Sequence, residues 1–271
     1  MIALLSDFQD SEYAGTVRGV IYSIAPEAKV ADITHRIRPF DIRQGAYAIY
    51  SAYKFFPDST IFLAVVDPGV GTEREGVIIK SKINRRAYCF VGPNNGIFSL
   101  IEAERVYRIK EKKVKEHAAA LKYTITNISK TFHARDIFGP TAAMLELGAE
   151  PEQFGEEISK KRIKQIIKNG AKITNGTIEG EVVCHDGFGN IITSIKGEHV
   201  NKMGIRCGKK IEIMLNKNKL KLRFLETYGH AMKDEIFCLI NSAEHLEIAV
   251  NCGSAQKILK AAGGERISVS T

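Results

Sequence analysis

An aspartate and an arginine seven residues apart frame the stretch Leu63–Arg74, LAVVDPGVGTER. The apolar run Ile61–Val66 reads as a buried strand. Asp67-Pro68-Gly69 stops it, because proline gives no N–H to a sheet and glycine favours turns. Asp67 therefore falls at a strand's carboxyl end, the edge of an open parallel sheet where ligands bind. Gly69 and Gly71 allow a tight turn or a close approach to a ligand, so Arg74 is able to fold back toward Asp67. The same pair reads equally as a surface ion pair closing a strand-end turn. Asp7 follows the predicted strand Ile2–Leu5, His35 follows Val30–Ile33, and Asn94 follows Ala87–Val91. With Asp67, these residues point to one polar site along the carboxyl edge of a sheet. His133, in TFHARD (Thr131–Asp136), stands just upstream of an apolar helix, where a histidine is more often structural than catalytic.

The elements that must position these residues alternate. A helix over Tyr13–Ile24 places Val17, Val20, Ile21 and Ile24 on one face and ends before Pro26. A second spans Asp41–Phe55, a third Ile97–Glu102, and a fourth Ile137–Leu147, stopped by Gly148. Strands alternating with helices mean βαβ units and a mainly parallel sheet. Gly76–Ile79 adds a strand. Composition shifts toward lysine, arginine and glycine at 156–174. The expected division is an α/β domain at 1–160, a linker at 161–173 and a second domain at 174–271. In the second domain, Thr177–His185, Asn190–Ile195, Lys210–Leu215, Lys219–Phe224, Ile236–Ile240 and Leu246–Val250 are short strands separated by turns. That pattern fits an antiparallel sandwich or small barrel.

The 271 residues, 44% of them apolar, suffice for sizeable cores. No run of about 18 apolar residues exists, so no membrane span is expected. MIALLSDFQD reads as a first strand and not as a signal peptide. The five scattered cysteines, with no CxxC, argue for a reducing, cytoplasmic compartment and against a metal site. The net charge of +8 raises the question of a nucleic-acid partner. The basic residues bunch at Lys110–Lys115, Lys160–Lys172 and Lys209–Arg223 without interleaved aromatics, so these runs read as solvated faces or linkers and no nucleic acid is expected.

Eight motifs in order resemble the S-adenosylmethionine hydroxide adenosyltransferases, relatives of the fluorinases and chlorinases. They are SDF at Ser6–Phe8, DITHRIRPFDIRQGA at Asp32–Ala46, FLAVVDPGVGTER at Phe62–Arg74, GPNNGIF at Gly92–Phe98, TFHARDIFGP at Thr131–Pro140, HDGFGNIITSI at His185–Ile195, Thr227-Tyr228, and NSAEHLEIAVNCGSA at Asn241–Ala255. The resemblance implies an N-terminal, mainly parallel α/β domain followed by a small antiparallel β-barrel. It also implies a homotrimer whose active sites lie between one subunit's first domain and its neighbour's second. The implied reaction is hydrolysis of S-adenosylmethionine to adenosine and methionine, by in-line attack of water or hydroxide on C5′, with no metal and no cofactor.

The family's catalytic aspartate, arginine and histidine fall on Asp67, Arg74 and His133. A carboxylate beside a histidine can orient a water, and arginine stays charged; the residue types leave open which group takes the proton. The implied ligand positions are Asp7 for the ribose diol, Asn190 and Phe188 for adenine, and Tyr228 packed on it. Phe40, Ser242, Glu247 and the backbone at Val250 complete the pocket, while Asn94 and Asn95 are expected to hold a turn. There are departures. Gln9 replaces the family's glycine, one residue is missing before Tyr13, and Ala134 replaces a glycine or serine. His185 stands where the family places an aspartate, so the methionine-end partner falls among Asp10, Glu12 and Asp186. Two alternatives compete: a halogenase of the same fold, and a non-catalytic adenosine or nucleic-acid binder. Halogenases avoid this charged trio and carry a long insertion where only Ser81–Arg86 stands here.

Overall fold

A computed structural model describes residues 1–167, 170–216 and 218–270. The chain forms two compact units, Met1–Ile166 and Ile167–Thr271, described separately.

Unit 1 begins β1 (Ile2–Ser6), α1 (Glu12–Ile24), β2 (Val30–Thr34), α2 (Ile42–Ala52) and β3 (Thr60–Val65). The hairpin β4 (Gly76–Ile83) and β5 (Arg86–Pro93) follows, turned by Asn84 and Arg85, both at positive φ. A two-residue turn with that backbone matches the twist of its strands. Then come β6 (Arg105–Ile109), α3 (Glu111–Ala120) and α4 (Gly139–Glu146). The sheet runs β2-β1-β3-β5-β4-β6. Its first four strands are parallel, and β4 is antiparallel to both β5 and β6.

The chain passes from β1 to β2 in one direction and returns past β1 to β3. Right-handed crossovers then put α1 and α2 on opposite faces. Val17, Val20 and Ile21 of α1 pack with Ile2, Leu4 and Leu63, and Ile49 of α2 packs with Leu5 and Phe62. Successive side chains of β1 and β3 point to opposite faces, both covered, so every residue of these strands is buried. This is why they read as unbroken apolar runs. The strand order reverses between β1 and β3, which opens a crevice at their carboxyl ends. Asp7 and Asp67 follow those two strands.

Two elements differ from expectation. Residues 97–102 form turns rather than a helix, closed by Ser99 N–H to Gly96 O (3.0 Å) and Ile101 N–H to Phe98 O (3.0 Å). The run Lys110–Lys115 is a solvated face, as read, but the face of a helix that was not expected, α3, which buries only Val114 and Ala118. One apolar pair four residues apart is too narrow a stripe to announce a helix. The segment expected as a linker follows unit 1 as far as Ile166. Asn94 clamps it, donating from Nδ2 to Arg162 O (2.9 Å) and accepting Lys164 N–H at Oδ1 (2.9 Å), and Ile163 is buried in the second apolar layer.

Unit 2 contains β7 (Lys172–Thr174), β8 (Thr177–His185), β9 (Ile191–Lys196), α5 (Gly197–Lys202), β10 (Lys210–Leu215), β11 (Asn218–Phe224), β12 (Ile236–Ile240), β13 (His245–Val250), α6 (Ala255–Leu259) and β14 (Arg266–Ser270). The order β14-β10-β11-β12-β13-β9-β8 closes on itself through β14–β8, giving a seven-stranded barrel with β7 outside it. The barrel is antiparallel except where β11 meets β12, at Arg223–Phe237 and Phe224–Cys238. Ile178, Val182, Ile213, Ile248, Ile267 and Val269 share its interior. Closure removes the exposed sheet edges that an open sandwich would leave. The closing strand, RISVS, is short, and sequence patterning did not single it out. It nevertheless pairs on both sides. Ile267→Ala in β14 is expected to destabilise unit 2 by roughly 2–5 kcal/mol, the usual cost of emptying a buried aliphatic site, as measured by urea unfolding.

Candidate active site

The stretch after β3 folds back through two successive turns, Val70 N–H to Asp67 O (3.2 Å) and Thr72 N–H to Gly69 O (3.2 Å). These return Arg74 to Asp67. Arg74 Nε donates to Asp67 Oδ1 at 2.9 Å and Oδ2 at 3.0 Å, and Nη2 donates to Oδ2 as well. Both side chains are largely buried, and the guanidinium lies 5.1 Å from the centre of the Phe138 ring. A buried pair of this kind is costly to break on one side only, about 3–5 kcal/mol, because the remaining charge is left without compensation. Asn95 fixes the strand end beneath, donating from Nδ2 to Val66 O at 2.7 Å.

Gly71 fastens this loop to the segment preceding His133. Its φ is +75°, and a Cβ there would lie 2.1 Å from Lys130 O. Backbone meets backbone at that point, so only glycine fits. His133 then opens a wide π turn, Ala134–Phe138, ahead of α4. Such turns concentrate at functional sites. Arg74 Nη2 lies 2.9 Å from His133 Nδ1. A guanidinium has donors only, so Nδ1 accepts and the ring proton sits on Nε2. Burial, followed by the charge of Arg74, lowers the pKa of His133; Glu111, Asp67 and Asp136 act in the opposite sense. His133 is therefore a neutral ring at pH 7.

Asp7 stands beside this trio. Its Oδ2 accepts Phe40 N–H at 2.8 Å. Burial raises its pKa, the Phe40 amide works against that, and the charge of Asp67 adds to it. Phe40 has φ +67°, an outlier for a bulky residue, and its ring is 71% exposed. Strain of this sort persists where the surroundings over-determine it, often at ligand clamps. Asp7, Phe8, Tyr13, Phe40, Asp67 and His133 line a cleft of about 430 Å³.

Of the four strand-end polar residues, Asp7 and Asp67 line this cleft. His35 instead ties β1 to β2, with Nδ1 2.7 Å from Ser6 Oγ and Nε2 3.2 Å from Asp32 Oδ1. Asn94 holds the 162–164 segment. Sequence reasoning did not select Phe8, Tyr13 and Phe132 for the site, although SDF and TFH placed two of them next to selected residues.

Unit 2 carries a second polar cluster. Asn190 Nδ2 donates to Asp186 Oδ2 (2.9 Å) and stands 3.5 Å from Tyr228 Oη, which donates to Glu247 Oε1. Asn241 Nδ2 donates to Glu247 Oε2 at 3.1 Å. Glu247 is 3% exposed, so it is not an outward strand residue, and burial raises its pKa against the pull of its two donors. Asp186 Oδ1 accepts the amides of Phe188 and Asn190, both at 2.9 Å, which shapes the turn that holds Phe188 out at 83% exposure. Its carboxylate is thus engaged within its own turn. Ser242 is exposed on the β12–β13 turn next to Asn241. The Val250 side chain lies in the barrel core, and its carbonyl accepts Gly253 N–H at 3.1 Å. Asp10 is on the surface with Arg36 at 3.3 Å, and Glu12 opens α1, exposed.

The fold and its two polar clusters define a chain built of a doubly covered α/β unit with a carboxylate–arginine–histidine trio and a closed barrel unit. Residues 2–155 match the N-terminal domain of the SAM hydroxide adenosyltransferases and residues 180–268 the C-terminal domain. The chain belongs to that family. It is 32% identical to an (R)-S-adenosyl-L-methionine hydrolase of Thermus thermophilus, covering 95% of this chain and 94% of the relative. It is also 32% identical to a protein of the same name from Methanocaldococcus jannaschii, covering 96% and 91%. More distant relatives include a fluorinase of Actinopolyspora mzabensis at 24% identity, covering 94% and 91%. Among solved structures, an uncharacterized conserved protein from Thermotoga maritima matches with a TM-score of 0.85 at 31% identity, over 100% of both chains.

In ¹⁵N-resolved NMR, His133 is expected to show the Nε2–H form at pH 7 and to take up a proton only below the ordinary histidine value of 6.5. Arg74→Met removes both the donor to Nδ1 and the repelling charge, and is expected to move that titration upward.

Proposed function

We propose that the protein hydrolyses S-adenosyl-L-methionine to adenosine and methionine by in-line attack of a water on the ribose C5′. The observation that carries this reading is the Arg74 guanidinium shared between Asp67 and His133, both of which line a cleft that Asp7 lines too. His133, accepting from Arg74 at Nδ1, has only an Nε2–H to offer, so it holds the water by donating to its oxygen. Asp67 keeps lone pairs beyond those facing Arg74 and takes the proton as the oxygen attacks. The C5′–S bond breaks as C5′–O forms, sulfur keeps the electron pair as a neutral thioether, and the proton passes from Asp67 to solvent. Asp7 suits the vicinal hydroxyls of the ribose, since one carboxylate accepts from both. A halide would have to sit against the Asp67 carboxylate, which disfavours the halogenase reading. Running counter to the binding-module reading, Asp67, Arg74 and His133 form a connected set and not three scattered polar groups.

The reading extends to the remaining candidates. Asn190 donates its amide N–H to Asp186, which leaves its carbonyl to accept from the adenine amino group. Phe188 and Tyr228 offer faces for the base. We place this adenine side on a neighbouring subunit of a homotrimer, a reading supported by the exposed rings of Phe40 and Phe188. The (R) sulfonium epimer is the preferred substrate, as the names of the two relatives at 32% identity suggest. A cytoplasmic location fits the five free cysteines. No helix among the described residues is long and apolar enough to cross a membrane.

Asp67→Ala and His133→Ala are each expected to lower adenosine release by at least about 10²-fold, the lower end of what positioned acid–base groups contribute. Gly71→Ala, which parts the two loops, is expected to cost about as much without unfolding the protein. Near-wild-type turnover in both Asp67→Ala and His133→Ala would remove the assignment, and a 5′-halo-adenosine formed in chloride would replace it with halogenation. Mixing unfolded and refolded Asp67→Ala and Asn190→Ala subunits is expected to restore part of the activity; no recovery would place each site within one subunit. Parallel assays of the two sulfonium epimers check the stereochemical preference. The rate profile is expected to stay flat down to pH 6.5 and to fall only below it, as His133 becomes charged.

A further inference from the structure

Three aromatic rings stand together at one end of the unit 1 cleft. Phe8 and Tyr13 have centroids 5.8 Å apart at 69°, Phe8 and Phe132 6.0 Å at 82°, and Tyr13 and Phe132 5.1 Å at 68°. All three line the cleft with Asp7, Asp67 and His133. They come from three places in the chain: the residue after Asp7, the first turn of α1, and the residue before His133. Rings inclined at these angles and spacings pack edge to face, and together they border one corner of the cleft. A cationic group held against the ring surface that faces the cleft falls inside the roughly 6 Å reach of a cation–π contact.

The charges around the corner favour a cation. Asp7 lines the same cleft and has no cationic side chain paired with it, its Oδ2 accepting only the Phe40 amide among the described contacts. The guanidinium that lines the cleft beside it is neutralised, Arg135 by Asp136 through Nε to Oδ1 at 2.7 Å and Nη2 to Oδ2 at 2.8 Å, and Arg74, behind Asp67, is paired with that carboxylate. Arg135 already lies over Phe132, 5.2 Å from its centre, so that ring carries a cation on one face. Tyr13, 47% exposed, has the most ring surface left to offer. Apolar packing alone would not need a residue so exposed to be aromatic.

We propose that Phe8, Tyr13 and Phe132 are the specificity-determining contact for the positively charged methyl-sulfonium of the substrate, seating its S-methyl group in the corner. The inference rests on the hydrolase reading above. The ring faces stabilise the charged sulfonium and gain much less from a neutral thioether of the same shape. They therefore let the product's neutral sulfur leave once the bond to C5′ is broken. They also fix which of the sulfur's two remaining substituents, the methyl group or the methionine chain, meets the rings.

The test is equilibrium binding to the His133→Ala protein, in which turnover is suppressed and the Asp67–Arg74 pair is kept, using S-adenosylmethionine, the neutral thioether S-adenosylhomocysteine, and adenosine. With the three rings intact, the sulfonium is expected to bind more tightly than the thioether. Tyr13→Leu is expected to reduce that preference about five-fold or more, within the span of cation–π contributions, while Tyr13→Phe retains it. Phe132→Leu should act in the same direction as Tyr13→Leu. Adenosine affinity within about two-fold of the parent shows that the pocket is intact. An unchanged sulfonium-to-thioether ratio in Tyr13→Leu overturns the proposal, as does equal binding of the two ligands with the rings intact. Should Phe132→Leu fail to fold, the exposed Tyr13 pair decides alone. Failure of S-adenosylmethionine to bind with the rings intact overturns the hydrolase reading itself.

Discussion

A single guanidinium sets the chemistry of unit 1. Arg74 has donors and no acceptor, and it spends them on two neighbours at once, the carboxylate of Asp67 and Nδ1 of His133. The contact with Nδ1 fixes the tautomer of the imidazole and, with burial, keeps it neutral. Two groups that elsewhere compete for the same proton are thereby given different roles. The imidazole keeps a donor at Nε2, and the carboxylate can only accept. The arrangement works because both Asp67 and Arg74 are shielded from water, where a charge left alone would be expensive.

That constraint reaches outward into the fold. Arg74 can return to Asp67 only because the loop turns twice, and the loop can reach His133 only because Gly71 meets Lys130 backbone to backbone. Asp67 in turn stands where it does because β3 ends beside β1, at the point where strand order reverses. The two apolar layers hold that sheet rigid from both faces. Asp7 uses the same edge, and the strained backbone of Phe40 lets an amide point at it. The strand ends thus place Asp7 and Asp67, while Phe40, Arg74 and His133 stand on irregular backbone beyond the strands.

The barrel unit follows a different logic. Its polar cluster is a chain of hydrogen bonds from Asp186 through Asn190 and Tyr228 to the buried Glu247. A buried carboxylate with two donors is satisfied and need not ionise a partner. Those hydrogen bonds hold Tyr228 and the Asn190 amide in one orientation. The turn at Asp186 does the same for Phe188.

Much of this was legible in the order of residues. Fully buried strands announce themselves as apolar runs, and the breakers after them locate the carboxyl edge, so the places of Asp7 and Asp67 follow from local pattern. The motifs identified the family, the α/β-then-barrel architecture, and His133 as a partner 59 residues from Arg74. Local pattern was silent where contacts are weak or distant. α3 buries too few side chains to show a stripe, and β14 gains its meaning only from the two strands it joins. Strand-end polarity alone could not separate Asp7 and Asp67, which line the cleft, from His35, which ties β1 to β2, and Asn94, which holds the 162–164 segment. Sequence determined which residue types stand at the sheet edge, because turn chemistry and burial are local. Tertiary structure decided which of them share a hydrogen bond, which histidine nitrogen keeps the proton, and which aromatic rings form a corner, because each depends on segments brought together from far apart in the chain.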